Sequence, residues 1–142
     1  MKIRLAMLGR TRRMEVRALL EDYLSRIRRY ADVGVDELQN SPAALRKLKA
    51  ESASLWVLLD AGGRQFTSSQ FARWLAQQRD GGTREIVFLC GDAEGFPEEL
   101  RRRAHTKISL STMTLPHELA RVVLAEQLYR AFAFLAGHPY PK

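Results

Sequence analysis

Short apolar runs alternate with amphipathic stretches along this chain. Ile3 to Leu8, Leu55 to Leu59 and Ile86 to Cys90 are nearly uninterrupted apolar segments, as expected of strands covered on both faces in a parallel sheet. A weaker strand is expected near Val33 to Val35 and a fifth at Lys107 to Leu110. Val16, Leu19, Leu20, Tyr23, Leu24 and Ile27 recur at helical spacing and predict one buried stripe, with Arg13, Arg17, Glu21, Ser25 and Arg28 on the opposite face. Ser41-Pro42, Thr67-Ser68-Ser69 and Pro97 followed by Glu98 and Glu99 read as helix starts. Gly62-Gly63 and Asp80-Gly81-Gly82 read as turns. The pattern predicts one α/β domain over residues 1–142, with a mainly parallel sheet flanked by helices.

The last helix, about His117 to Leu135, has a different pattern. Leu119, Val122, Val123, Leu124, Leu128, Phe132, Phe134 and Leu135 point in too many directions for a single stripe. Its own sheet is expected to cover one side, which leaves a second copy of the chain as the cover for the other and predicts a homodimer.

Charge adds a polyanion to the picture. The chain of 142 residues carries 23 basic and 16 acidic groups, and the excess lies at its ends. Residues 1–30 hold nine basic and three acidic side chains, residues 31–100 seven and eleven, and residues 101–142 seven and two. If the fold joins the ends, they form a positive face suited to nucleic acid, although Arg-rich helices are often merely solvated. The three arginines that close the Pro97 to Arg103 segment suit the helix dipole equally well.

Several chemistries lose support. There is no GxxxxGK[ST], GxSxG or GxGxxG motif. His117-Glu118 begins like HExxH, but Arg121 stands where the second histidine belongs, so no metal site is expected. Cys90 is alone, which excludes an internal disulfide and favours a small buried residue over a nucleophile. No apolar run approaches the roughly 20 residues of a membrane span and the first residues lack the pattern of an export signal, so a cytoplasmic protein without a membrane partner is expected.

Two segments depart from helix or strand composition where strands end: Gly91-Asp92-Ala93-Glu94-Gly95-Phe96, and Leu110-Ser111-Thr112-Met113-Thr114-Leu115-Pro116-His117. Ligands of parallel α/β folds bind beyond the carboxyl ends of the strands, and small-residue loops let the backbone approach them closely. The second segment, continued through Glu118-Leu119-Ala120-Arg121 to Glu126-Gln127-Leu128-Tyr129-Arg130-Ala131, resembles the C-terminal signature of the RlmH-type ribosomal RNA methyltransferases of the SPOUT superfamily. The likeness extends to Leu58-Leu59-Asp60, Gly63, Ser68-Ser69, the glycine loop and His138-Pro139-Tyr140, nearly the whole chain.

The resemblance implies a homodimeric cytoplasmic enzyme whose C-terminal third forms a deep trefoil knot. It implies transfer of a methyl group from S-adenosylmethionine to N3 of a pseudouridine in helix 69 of 23S rRNA, on the assembled ribosome. It assigns cofactor binding to Leu59, Asp60, Gly91, Asp92, Ser111, Thr112, Met113, Thr114, Leu115 and Pro116, and RNA contact to Arg121, His138, Tyr140 and Lys142. It names no catalytic base. Two departures stand out: Asp92 replaces the second glycine of a GGxxG loop, and Pro141 replaces the histidine usual after Pro-Tyr. Aspartate tolerates the left-handed conformation that loop glycines often adopt, so Asp92 is expected to preserve cofactor binding. The alternative is a ribosome- or RNA-binding module of the same fold that has lost transferase activity.

Overall fold

The computed structural model describes residues 1–41, 43, 48 and 54–140, so Pro42, Pro141 and Lys142 lie outside the described residues. Among the described residues the elements run β1 (Lys2–Leu8), α1 (Met14–Ile27), β2 (Asp32–Leu38), β3 (Ser54–Gln65), α2 (Ser68–Asp80), β4 (Glu85–Cys90), α3 (Glu98–Arg103), β5 (Thr106–Ser109) and α4 (His117–Leu135). All pairings are parallel and the spatial order is β2-β1-β4-β3-β5. Parallel pairing puts every strand's carboxyl end on one edge, so the segments after β3, β4 and β5, three neighbouring strands, emerge side by side.

Alternation of side chains sorts each strand between two cores. Ile3, Leu5, Met7, Ile86 and Phe88 join α1, α2 and α4 on one face. Ala6, Leu8, Trp56, Leu58, Val87 and Leu89 meet Leu48 and Leu100 of α3 on the other. Thr67 caps α2 by accepting from the Gln70 N–H, while the Gln70 side chain accepts from the Thr67 N–H. The acids of α3 precede its arginines as expected. Among the described residues, no helix is long and apolar enough to cross a membrane.

Three expectations change. The α1 stripe is narrower, with Val16, Leu20, Leu24 and Ile27 buried and Leu19 45% exposed, because α4 covers only one side of the helix. The last helix owes its varied apolar faces largely to its own chain, since α4 packs against both α1 and α2 above the sheet. What remains open is an outer stripe that includes Leu119, 42% exposed, and Phe134, 58% exposed.

The third change concerns Gly62-Gly63, which does not end its strand. β3 pairs with Ile108 of β5 at Leu59, bulges, and pairs with Ile108 again at Arg64. Gly63 lies against the β5 backbone, where an added Cβ would sit 2.6 Å from the Lys107 carbonyl carbon, whereas a Cβ at Gly62 would meet open space. Gly63→Ala is therefore expected to force β5 outward at a cost of about 1–3 kcal/mol, lowering Tm by roughly 3–10 °C. Gly62→Ala should leave Tm unchanged within a degree or so. Equal thermal denaturation of the two variants would sink the close-approach argument.

Candidate active site

The strand ends enclose a cleft of about 230 Å³. Its floor is the end of β4, Cys90 and Gly91; one wall is the bulge after Leu59, and another is the segment from Leu110 to His117. Eight of the ten residues assigned to the cofactor line it: Leu59, Asp60, Gly91, Asp92, Ser111, Met113, Thr114 and Leu115. Thr112 and Pro116 do not; both are exposed, and Pro116 is the residue before α4. Ala61, Gly95, Phe96, Arg101, Leu110, His117 and Ala120 also line the cleft. Gly95, Phe96, Leu110 and His117 lay within the segments singled out above, so only their individual roles escaped notice. Arg101 had no such signal, because a terminal arginine on a short helix reads as a dipole partner.

Local hydrogen bonds shape the loops. Asp92 Oδ1 accepts from the Glu94 N–H at 2.9 Å and its carbonyl from the Gly95 N–H at 3.0 Å, while Asn40 donates to Oδ2 at 3.3 Å. The carboxylate thus closes the turn itself. The expected left-handed backbone is absent at Asp92: the described residues with positive φ are all glycines, and Gly95, at φ +83°, takes that role in this loop. Gly91 is also confined, since a Cβ there would lie 3.3 Å from the Gly95 carbonyl oxygen and from the Phe96 ring. In the third loop Ser111 Oγ accepts from the Met113 N–H, and its carbonyl accepts from Ser109 Oγ. Arg101 pairs with Asp60 at 3.3 Å.

Cys90 is 2% exposed, and burial pushes its thiol up to about 12, against the opposing pull of Arg121. At neutral pH it is a neutral thiol, a packing residue in the cleft floor. For Glu118, desolvation acts upward, but hydrogen bonds from the Arg13 and Arg12 N–H groups, with His117 and Arg121 nearby, hold the carboxyl below its usual range.

The RNA assignments divide. Arg121 is fully buried, donating to Thr11 Oγ1 at 2.8 Å and to the Leu8 carbonyl at 2.6 Å, so it is not available as an RNA contact. It is a side chain of the interior, reaching from α4 to the end of β1. His138 and Tyr140 stand beyond the other end of α4, a helix about 28 Å long. His138 Nδ1 and the Tyr30 hydroxyl are hydrogen-bonded at 2.6 Å. The Tyr140 ring packs on Tyr129 with Arg130 4.3 Å from its centroid, and burial, with Glu126 and Tyr23 adding, pushes its phenol up to about 12. Lys142 lies outside the described residues.

A family profile described as "Predicted SPOUT methyltransferase" matches residues 1–141. Among curated proteins, ribosomal RNA large subunit methyltransferase H of Koribacter versatilis is 41% identical, over 99% of this chain and 97% of that one. The protein of the same name from Geotalea daltonii is 40% identical, over 99% of each chain. In fold, the chain is similar to a probable methylase family protein from Haemophilus influenzae, with TM-score 0.59 at 12% identity, covering 99% of this chain and 72% of that one. It is likewise similar to a probable rRNA-methyltransferase from Porphyromonas gingivalis, with TM-score 0.60 at 13% identity, covering 94% and 69%. With a cleft formed at the ends of three neighbouring strands and relatives matched over their full length, the chain belongs to the ribosomal RNA large subunit methyltransferase H family of SPOUT methyltransferases.

Proposed function

We propose that this chain methylates N3 of a pseudouridine in helix 69 of 23S rRNA within the assembled ribosome, using S-adenosylmethionine, as a cytoplasmic homodimer. The observation that carries the reading is the cleft: eight of ten residues assigned from sequence line it, in a chain about 40% identical to rRNA methyltransferases along its whole length. The knotted C-terminal path belongs to the same reading. In its support, the chain passes from β4 across β3 to the edge strand β5, then returns along α4 to meet α1 and the end of β1.

The residues present suit the cofactor. Leu59, Phe96, Leu110 and Leu115 offer apolar surface to an adenosine, and the glycine loop and the Leu110–Leu115 backbone supply polar groups at close range. Asp60 and Asp92 bring negative charge toward a cationic ligand, with Asp60 already balanced by Arg101. When bound, S-adenosylmethionine supplies a methyl group on a sulfonium, a good leaving group. The protein's task is then chiefly to hold N3 in line and exclude water. The apolar wall and the two tied loops serve that purpose.

Geometry supports the dimer. His138 and Tyr140 are a helix length from the cleft of their own chain, so a site using both the tail and the cleft takes them from two chains. The outer stripe of α4 with Leu119 and Phe134 is the surface proposed for that contact.

Ribosomes from a strain lacking the gene are expected to be unmethylated at the target, and restoring the gene should restore the modification. Titration calorimetry should show binding of S-adenosylmethionine and not of NADH. Unaltered methylation in the deletion strain would overturn the reading, and cofactor-free binding to ribosomes would favour the inactive module.

Light scattering at micromolar concentration should give about twice the 16.2 kDa chain mass. A 16.2 kDa species would remove the composite site. For Asp92→Gly, loss of the turn-closing carboxylate should leave the cofactor Kd unchanged or a few-fold weaker. A tenfold gain in affinity would show instead that the aspartate obstructs the loop.

A further inference from the structure

Resting on the reading above as an rRNA methyltransferase, we infer that Arg10 and Arg12, carried by the loop between β1 and α1, are the phosphate clamp that seats the RNA backbone beside the cleft.

The loop is at the mouth of the site. A Cβ on Gly9 would lie 3.7 Å from Asp92 Cβ, and Asp92 lines the cleft. The Arg12 and Arg13 N–H groups donate to Glu118 at 3.2 and 3.1 Å, and Glu118 follows His117, another lining residue. The loop is also fixed. Gly9 donates its N–H to the Leu38 carbonyl at 2.6 Å and takes a left-handed φ of +82°. Between the two arginines Thr11 is 1% exposed; its hydroxyl accepts from Arg121 and its carbonyl from Arg17, both at 2.8 Å.

These ties orient the chain so that Thr11 points in while Arg10 and Arg12 point out. Among the described residues neither guanidinium has a hydrogen-bond or ion-pair partner, whereas Arg13 pairs with Glu15 and Arg101 with Asp60. Two unneutralised guanidinium groups, on a backbone with little entropy left to lose, match the fork geometry that phosphate oxygens accept. Glu118 stays ionised at neutral pH, yet it is committed to the backbone N–H groups and leaves the side chains free.

The test uses the full-length chain and 70S ribosomes purified from a strain lacking the gene. Arg10→Gln with Arg12→Gln should lower ribosome affinity. It should also shrink the fall in affinity between roughly 50 and 200 mM salt by about tenfold, the share of two phosphate contacts. The cofactor Kd should stay as in the unsubstituted chain, and the double lysine variant should restore the salt slope. Arg73→Gln with Arg84→Gln removes the same charge elsewhere and should leave the slope intact. Equal losses in that control, an unchanged slope in the first variant, or a weakened cofactor Kd with unaltered RNA affinity each overturn the assignment. An unsubstituted chain that neither binds nor methylates ribosomes overturns the underlying reading as well, whereas normal methylation with an unaltered double variant overturns the clamp alone.

Discussion

A guanidinium buried with no carboxylate at ion-pair distance among the described residues is the demanding feature of this molecule, and the edge that carries the cleft is arranged around it. Moving such a group out of water costs several kcal/mol unless its N–H groups find acceptors. The two terminal nitrogens of Arg121 find the Leu8 carbonyl, freed where β1 ends, and the Thr11 hydroxyl, while Nε has no partner among the described residues. Those two bonds fix where α4 begins relative to the first strand, and therefore where the segment before α4 can run. Glu118, one residue into the same turn, then ties the backbone of the β1 loop from outside. Strand end, loop and helix start become one unit, and the cleft is formed between that unit and the loops after β3 and β4.

This arrangement explains how chemistry can be absent from the usual motifs and still be present in the fold. The cleft has one buried thiol held neutral by its surroundings, one carboxylate balanced by a guanidinium, a second, Asp92, tied into its own loop, the imidazole of His117, and otherwise walls of backbone and mainly apolar side chains. Such a lining binds and orients more than it exchanges protons, which is what transfer from an already activated donor asks of a protein.

Much of the architecture was legible because it is written in local pattern. The apolar runs marked four of the five strands to within a few residues, and the helical spacing marked α4 at His117 and Leu135. The glycine loop and the Leu110–His117 segment, which line the cleft, were legible from composition as loops at strand ends, and the resemblance is what proposes their ligand. What could not be read depended on distant partners. Arg121 reads as a surface or RNA-contact residue by its type, although Leu124, Ala125 and Leu128 share its face of the helix; its burial follows from acceptors more than a hundred positions away. Leu19 falls on the apolar stripe, yet α4 is too narrow to cover it. The distance between the tail and its own cleft follows only from knowing that α4 runs unbroken from His117 to Leu135 between them.

The bulge in β3 has a consequence for how the length of such chains can vary. Because Leu59 and Arg64 face the same residue of β5, the ladder pairs none of residues 60–62, while Gly63 stays against the β5 backbone. A chain with a residue more or fewer in this stretch would keep β5 in step with β3, and α4 would still begin where Arg121 requires. The stretch includes Asp60 and Ala61, which border the cleft. This corner of the cleft is thus free to be recut by insertion or deletion while the sheet behind it stays as it is.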